Sequence, residues 1–324
     1  MRAEQVLDMQ VDLLRRFDQP LFVQVVKDTL GPAQSKARVM TAAQRESNLT
    51  TMVQALRGQV RVGYAYRVTP DMSLVVQHAA SLLDDTDRMR RDLLPTGCGI
   101  VRFDRPLPIS DSRGKTMKAH WMTWGPIGGY DGERTIGGTL LSWWNDLADP
   151  DDITADWAKD LPKMTPILGR WSLVGAELLY DDQRLGPGMT DVPAEDAAAI
   201  LADGDRVSPY TNTSRYAVAL WMLLGQTVAD VAEEHVRKTS ARAARRMGIP
   251  DRVTVIQLRR TAGSRSEGET DVEWSHRWVV RGHWRWQPYG THRAERRRIW
   301  IAPFVKGPED KPLVVTDKVY DLRR

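Results

Sequence analysis

The stretch from Trp274 to Gln287, WSHRWVVRGHWRWQ, concentrates the groups in this chain that are best suited to hold a phosphate. Successive side chains of a β-strand point to opposite faces. Trp274, His276, Trp278, Val280, Trp284 and Trp286 would then share one face, and Arg277, Arg281, His283 and Arg285 the other. In a regular strand Arg277, Arg281 and Arg285 stand ~13 Å apart in successive pairs, at ~3.3 Å per residue. That is about two steps along an extended single strand. Arg296, Arg297 and Arg298 add charge beside them if the next strand pairs. Guanidinium groups fork onto phosphate oxygens, and aromatic rings stack on bases. The same residues also allow a second chemistry. His283 as acid or base beside Arg281 would suit a metal-independent endoribonuclease, with the guanidinium stabilising the phosphorane. The plain alternative is a tryptophan-packed core strand with a basic outer face. Because meanders bury their aromatic face, Trp284 and Trp286 are expected in the core.

Other chemistries are missing at the level of motif. The single cysteine, Cys98, excludes an intramolecular disulfide and a cysteine-based zinc cage. There is no GxSxG elbow, HExxH helix, deaminase signature, P-loop or strand–GxGxxG–helix context. Asp149-Pro150-Asp151-Asp152 and Asp181-Asp182 are acidic, but their setting is that of turns, where aspartate bonds its own backbone. No metal and no cofactor is expected.

Charge is unevenly distributed. Residues 1–150 carry +2, residues 151–235 carry −9 and residues 236–324 carry +11, within a net +4. A basic terminal block fits DNA or RNA as partner. It also fits an acidic protein surface, including the chain's own acidic segment.

These groups need elements to position them. Apolar stripes over 4–30, broken near Pro20, and over 40–58 predict helices. Thr69-Pro70-Asp71 opens another, because proline is tolerated at the first helical position. After Pro95, GCGIVRF, KAHWMTW, GGTLLSWW and RWSLVGAELLY read as strands, with GPIGGYDGERTIGG as a long hairpin loop. AEDAAAILADG reads as a short helix. A longer helix is expected from about 212 to 247, kinked at Gly225 and ending at Gly248. Its last turns place Lys238, Arg242, Arg245 and Arg246 on one face, where they would line a nucleic-acid groove or complement the negative helix end. Three strands over 252–260, 272–287 and 296–305 should follow as an antiparallel meander. The expected fold is therefore α+β. A helical and β-mixed region spans 1–190, and a basic unit of long helix plus meander spans 191–324. The amino-terminal segment lacks the layout of a secretory signal, and Ala217–Leu224 is too short to cross a bilayer. A cytoplasmic setting follows as an expectation.

The segment VEWSHRWVVRGHWRWQPYGTHRAERRRIWIAPFVKGPEDKPL (272–313) resembles the carboxyl-terminal signature of a family of uncharacterised actinobacterial and actinophage proteins. AYRVTPDMS (65–73) and PTGCGIVRFDRPLP (95–108) are similar to further blocks of that family. The resemblance implies a phage or mobile-element setting and carries no activity. Taken together, the expected function is nucleic-acid binding through the cationic carboxyl-terminal face. The endoribonuclease of His283 and Arg281 and an interaction module for acidic proteins stand as alternatives.

Overall fold

The computed structural model describes residues 3–35, 41–83, 87–111, 116–130, 135–149, 169–179, 210–211, 213–259, 277–280, 282–301, 304–306 and 313–314. The chain divides into two compact units, Met1–Leu258 and Arg259–Arg324. The boundary expected at 190/191 lies outside the described residues, as does the short helix expected over 194–204.

The first unit begins with three helices, α1 (Glu4–Phe17), α2 (Pro20–Ser35) and α3 (Ala42–Val62). The break at Pro20 falls where the stripe predicts it. Thr41 and Gln44 form a reciprocal capping box that starts α3, satisfying two otherwise orphaned N–H groups. Strand β1 (Tyr64–Val68) leads into α4 (Pro70–Ser81), which has Pro70 in its first turn. Thr69 does not cap α4 through its hydroxyl; its own N–H is taken by Ile256 O at 3.0 Å.

A mixed sheet forms the centre. It contains β2 (Gly99–Asp111), β3 (Thr116–Tyr130), β4 (Thr135–Asp146), β5 (Trp171–Leu179), β6 (Tyr210–Thr211), β7 (Ala229–Glu234) and β8 (Val253–Leu258). The order is β5-β4-β3-β2-β1-β8-β7, with β6 paired to β2. β1 runs parallel to both β2 and β8, and every other pair is antiparallel. Five glycines of GPIGGYDGERTIGG are strand residues instead of a long loop. Gly125, Gly128, Gly129, Gly137 and Gly138 lie inside the β3–β4 ladder, which pairs as far as Tyr130 and Thr135. At Gly125 a Cβ would come within 2.8 Å of Gln59 Cγ and 2.7 Å of Cys98 Sγ, so the close approach of α3 requires a residue without one.

The tryptophans show why this sheet is covered on both sides. Trp121, Trp144 and Trp171 join the cluster built on α1, α2 and α3, with Phe17 edge-on to Trp144. Trp124 and Trp143 point the other way, against Trp221 and Tyr216 of α5 (Thr213–Leu224). Adjacent tryptophans at 143 and 144 thus serve opposite faces, as strand alternation demands. A strand buried on both faces reads as a nearly continuous apolar run. At 150–250 Å² each and ~25 cal/mol/Å², each ring contributes about 5 kcal/mol of gross burial.

The carboxyl-terminal half departs from expectation in two ways. In place of one helix over 212–247 the chain forms α5, then β7, then α6 (Lys238–Arg246). Gly225 ends α5, and two successive turns bring residues 229–234 alongside β8, where all six gain ladder partners. The spacing Leu224, Val228, Val231 suits a helix, but hydrogen bonding to a neighbouring strand overrides it. The described strands also do not form the three-stranded meander. β8 belongs to the large sheet, parallel to β1. The tryptophan strand divides into β9 (Arg277–Val280) and β10 (His283–Tyr289). Among the described residues β10 pairs only with β11 (Glu295–Ile301), whereas β9 lies between β12 (Phe304–Lys306) and β13 (Leu313–Val314). The α+β class stands, with this different topology.

Candidate nucleic-acid interface

In the second unit, the β10–β11 hairpin carries most of the described candidate residues. Its turn is strained: Gly290, His292 and Arg293 all have positive φ, at 76°, 55° and 57°. For two residues with side chains that conformation is uncommon, and Gly290 accommodates the first bend without a Cβ. The register pairs Trp284 with Trp300, Trp286 with Arg298 and Pro288 with Arg296. Directly opposed residues share a face, so these six form one side. His283, Arg285, Gln287, Tyr289, Glu295, Arg297, Ile299 and Ile301 form the other.

The tryptophan side is itself divided along its length. At one end Trp284 and the buried Trp300 meet edge to face, with ring centroids 5.2 Å apart. Gly282 makes room for them: a Cβ there would lie 2.4 Å from Trp300 Cζ2 and 3.1 Å from Ile301 O. We expect Gly282→Ala to push the indole aside and destabilise the second unit by about 1–3 kcal/mol, read as lost near-ultraviolet dichroism with the first unit's unfolding midpoint unchanged. At the other end Trp286 is 48% exposed, with the Arg298 guanidinium 5.2 Å from its ring centroid. The expectation that both Trp284 and Trp286 are core residues therefore fails for Trp286.

The arginines do not gather on one face. Arg285 and Arg297 share the side of His283, where Arg285 Nη2 donates to Gln287 Oε1 and Arg297 stacks over half-exposed Tyr289 at 5.3 Å. Arg296 and Arg298 lie on the tryptophan side instead, because odd and even positions of β11 must diverge. Arg277 belongs to the β9 sheet and Arg285 to the β10–β11 pair, so these two do not share one strand. Arg281 and His276 lie outside the described residues, and with Arg281 half of the proposed endoribonuclease pair. His283 is exposed at the start of β10. Arg242, Arg245 and Arg246 are exposed on α6, in the first unit.

Sequence reasoning missed a buried ionic cluster in the first unit. Asp146, at the end of β4, receives Arg170 through two hydrogen bonds of 2.6 and 2.7 Å. Arg102 of β2 reaches the same carboxylate at 3.6 Å and lies 4.5 Å over Trp121. Burial pulls the Arg102 pKa down. Asp146 opposes that shift and the neighbouring Arg170 adds to it. Asp146 raises the pKa of Arg170. Beside the cluster, a cleft of about 300 Å³ is lined by Gln5, Asp8, Met9, Asp12, Arg102, Arg170 and Trp171. His120 lies next to it. Its Nδ1 accepts from the Asp146 N–H at 3.2 Å, so the ring proton sits on Nε2 and is given to Asp149 Oδ2 at 3.0 Å. Both nitrogens are engaged, which makes His120 a structural clamp. No motif spacing announces this cluster, because its members come from three separate segments. Among the described residues no group of His, Cys, Asp or Glu could hold a metal ion, and no helix is long and apolar enough to cross a membrane.

One solved structure, "Crystal structure of AcrVA2", is similar at 12% identity over 87% of this chain and 85% of that one, with a TM-score of 0.36. No curated protein matches the sequence. A family profile, AcrVA2-like, matches residues 66–306, a span from β1 to β12 that takes in the central sheet and the β10–β11 hairpin. The match covers well over half of the sequence, and the chain belongs to the AcrVA2-like family, the anti-CRISPR type V subtype A2 family.

Proposed function

We propose that this chain is a phage-encoded inhibitor of a type V CRISPR system, of actinobacterial or actinophage origin, that binds single-stranded nucleic acid through the tryptophan side of the β10–β11 hairpin. The family supports the phage setting and the class of target. The observation that carries the binding mode is Trp286, half exposed on an antiparallel ribbon, with Arg298 against its ring and Arg296 next along the same side. An exposed indole offers a stacking surface to any base, and two guanidinium groups beside it answer the flanking phosphates. This is a sequence-tolerant mode of recognition, suited to guide or target strands whose sequences vary.

Trp286→Ala tests it directly. Loss of one base–indole stack is worth ~1–3 kcal/mol, so affinity for a labelled single strand should fall about tenfold to a hundredfold with the thermal midpoint unchanged. The log–log salt slope should stay the same, because no phosphate contact is removed. No binding by the intact chain at about 50 mM salt, or equal binding by wild type and variant, ends the proposal.

A further inference from the structure

The hairpin does not account for α6, whose nine residues hold four cations and no acid. Ser240, Ala241 and Ala244 are buried, whereas Lys238, Thr239, Arg242, Arg245 and Arg246 face solvent. Neighbouring elements extend the patch. The Arg61 guanidinium, at the end of α3, lies against Gly248, with Nε 3.6 Å from the position a Cβ would take there. Arg237 precedes the helix and Arg252 follows it.

Three of these cations are matched: Arg237 by Glu4 at 2.9 Å, Arg245 by Asp251 at 3.4 Å and Arg252 by Glu233 at 3.5 Å. Arg61, Lys238, Arg242 and Arg246 form no ion pair among the described residues. The other acids of the preceding strand are engaged elsewhere, Glu234 by Arg67 at 3.0 Å and Asp230 by Gln257 at 2.9 Å. The negative end of a helix is worth about half an elementary charge, too little to balance four cations.

We infer that this face of α6 is a second phosphate-binding surface, one that takes the backbone of double-stranded nucleic acid. Lys238, Arg242 and Arg246 form an i, i+4, i+8 row, about 6 Å per step at 1.5 Å per residue, a spacing comparable with that of neighbouring phosphates on a strand. α6 presents no aromatic side chain on which an unpaired base could stack, so the surface reads charge and not bases. It also presents no apolar anchor of the kind that centres a protein interface. A duplex, with one charge per ~1.7 Å of axis, supplies what the row can use.

The test is titration of the full chain with blunt duplex DNA and duplex RNA between about 50 and 200 mM salt. R242Q/R246Q should weaken duplex binding about tenfold and lower the salt slope by about 1.8, from ~0.9 per phosphate contact on a duplex. Helical dichroism should be unchanged, since both side chains are exposed. Trp286→Ala should leave duplex binding as it is, so this surface and the hairpin fail separately. Absence of duplex binding, an unchanged slope in R242Q/R246Q, or displacement of duplex by polyglutamate of equal charge would each overturn the inference, the last in favour of an acidic protein partner.

Discussion

Asp146→Ala should destabilise the first unit by about 3–5 kcal/mol, the typical cost of leaving a buried charge without its partner. Asp146 is only 3% exposed and is the shared counter-ion of Arg102 and Arg170. Arg170 is half exposed and can turn to water, so most of the penalty falls on Arg102, 5% exposed and held over Trp121. The substitution also removes the oxygen that accepts the Ala148 N–H at 3.1 Å. Asp146→Asn keeps much of that geometry without the charge and separates the two contributions. Replacing Arg102 and Asp146 together by Met and Leu should recover most of the loss, because an apolar pair leaves nothing unbalanced. Urea denaturation with a common slope measures all three variants. A loss below about 1 kcal/mol for Asp146→Ala, the range of a surface pair, would mean that the cluster is solvated.

Glu177→Gln should stabilise the protein at alkaline pH and do nothing in acid. Burial beside Trp143 and Thr213 pushes the Glu177 carboxyl from its ordinary value of 4.5 up to about 7, although both neighbours pull it partly back. The folded state therefore favours the protonated acid. Stability from this site is complete below about pH 4.5 and declines as pH rises toward 7. Above that the folded protein carries the full penalty of a buried carboxylate. The shift corresponds to at most about 3 kcal/mol. Glutamine is neutral throughout, so the gain over wild type should be largest at pH 8 and vanish near pH 4. A gain independent of pH would show that Glu177 is ionised at neutral pH in the folded state.

Local signals in the chain were faithful. The stripe of α1 and α2 with its break at Pro20, the proline start of α4, and the apolar runs that become β2 to β5 are all encoded within short windows. A helix face or a buried strand needs only its own residues to show its period. The same windows misled where a partner decides. Residues 229–234 continue a helical stripe, yet they become β7 because β8 offers them six ladder positions. The tryptophan segment contributes to two different sheets, and Gly282 yields space to Trp300, a residue 18 positions away.

The candidate site divides in the same manner. Sequence by itself determined that the carboxyl-terminal segment alternates aromatic and cationic residues, and that Lys238, Arg242 and Arg246 share one side of a helix. Both follow from backbone periodicity. Tertiary structure alone decided which arginines stand together. Pairing of β10 with β11 sends Arg298 to Trp286 and Arg297 to Tyr289, and leaves Trp286 exposed while Trp300 is buried. The Arg102–Asp146–Arg170 cluster likewise exists only once β2, β4 and the start of β5 are neighbours. Strand register and long-range charge pairing depend on residues far apart in the chain, and no local pattern specifies them.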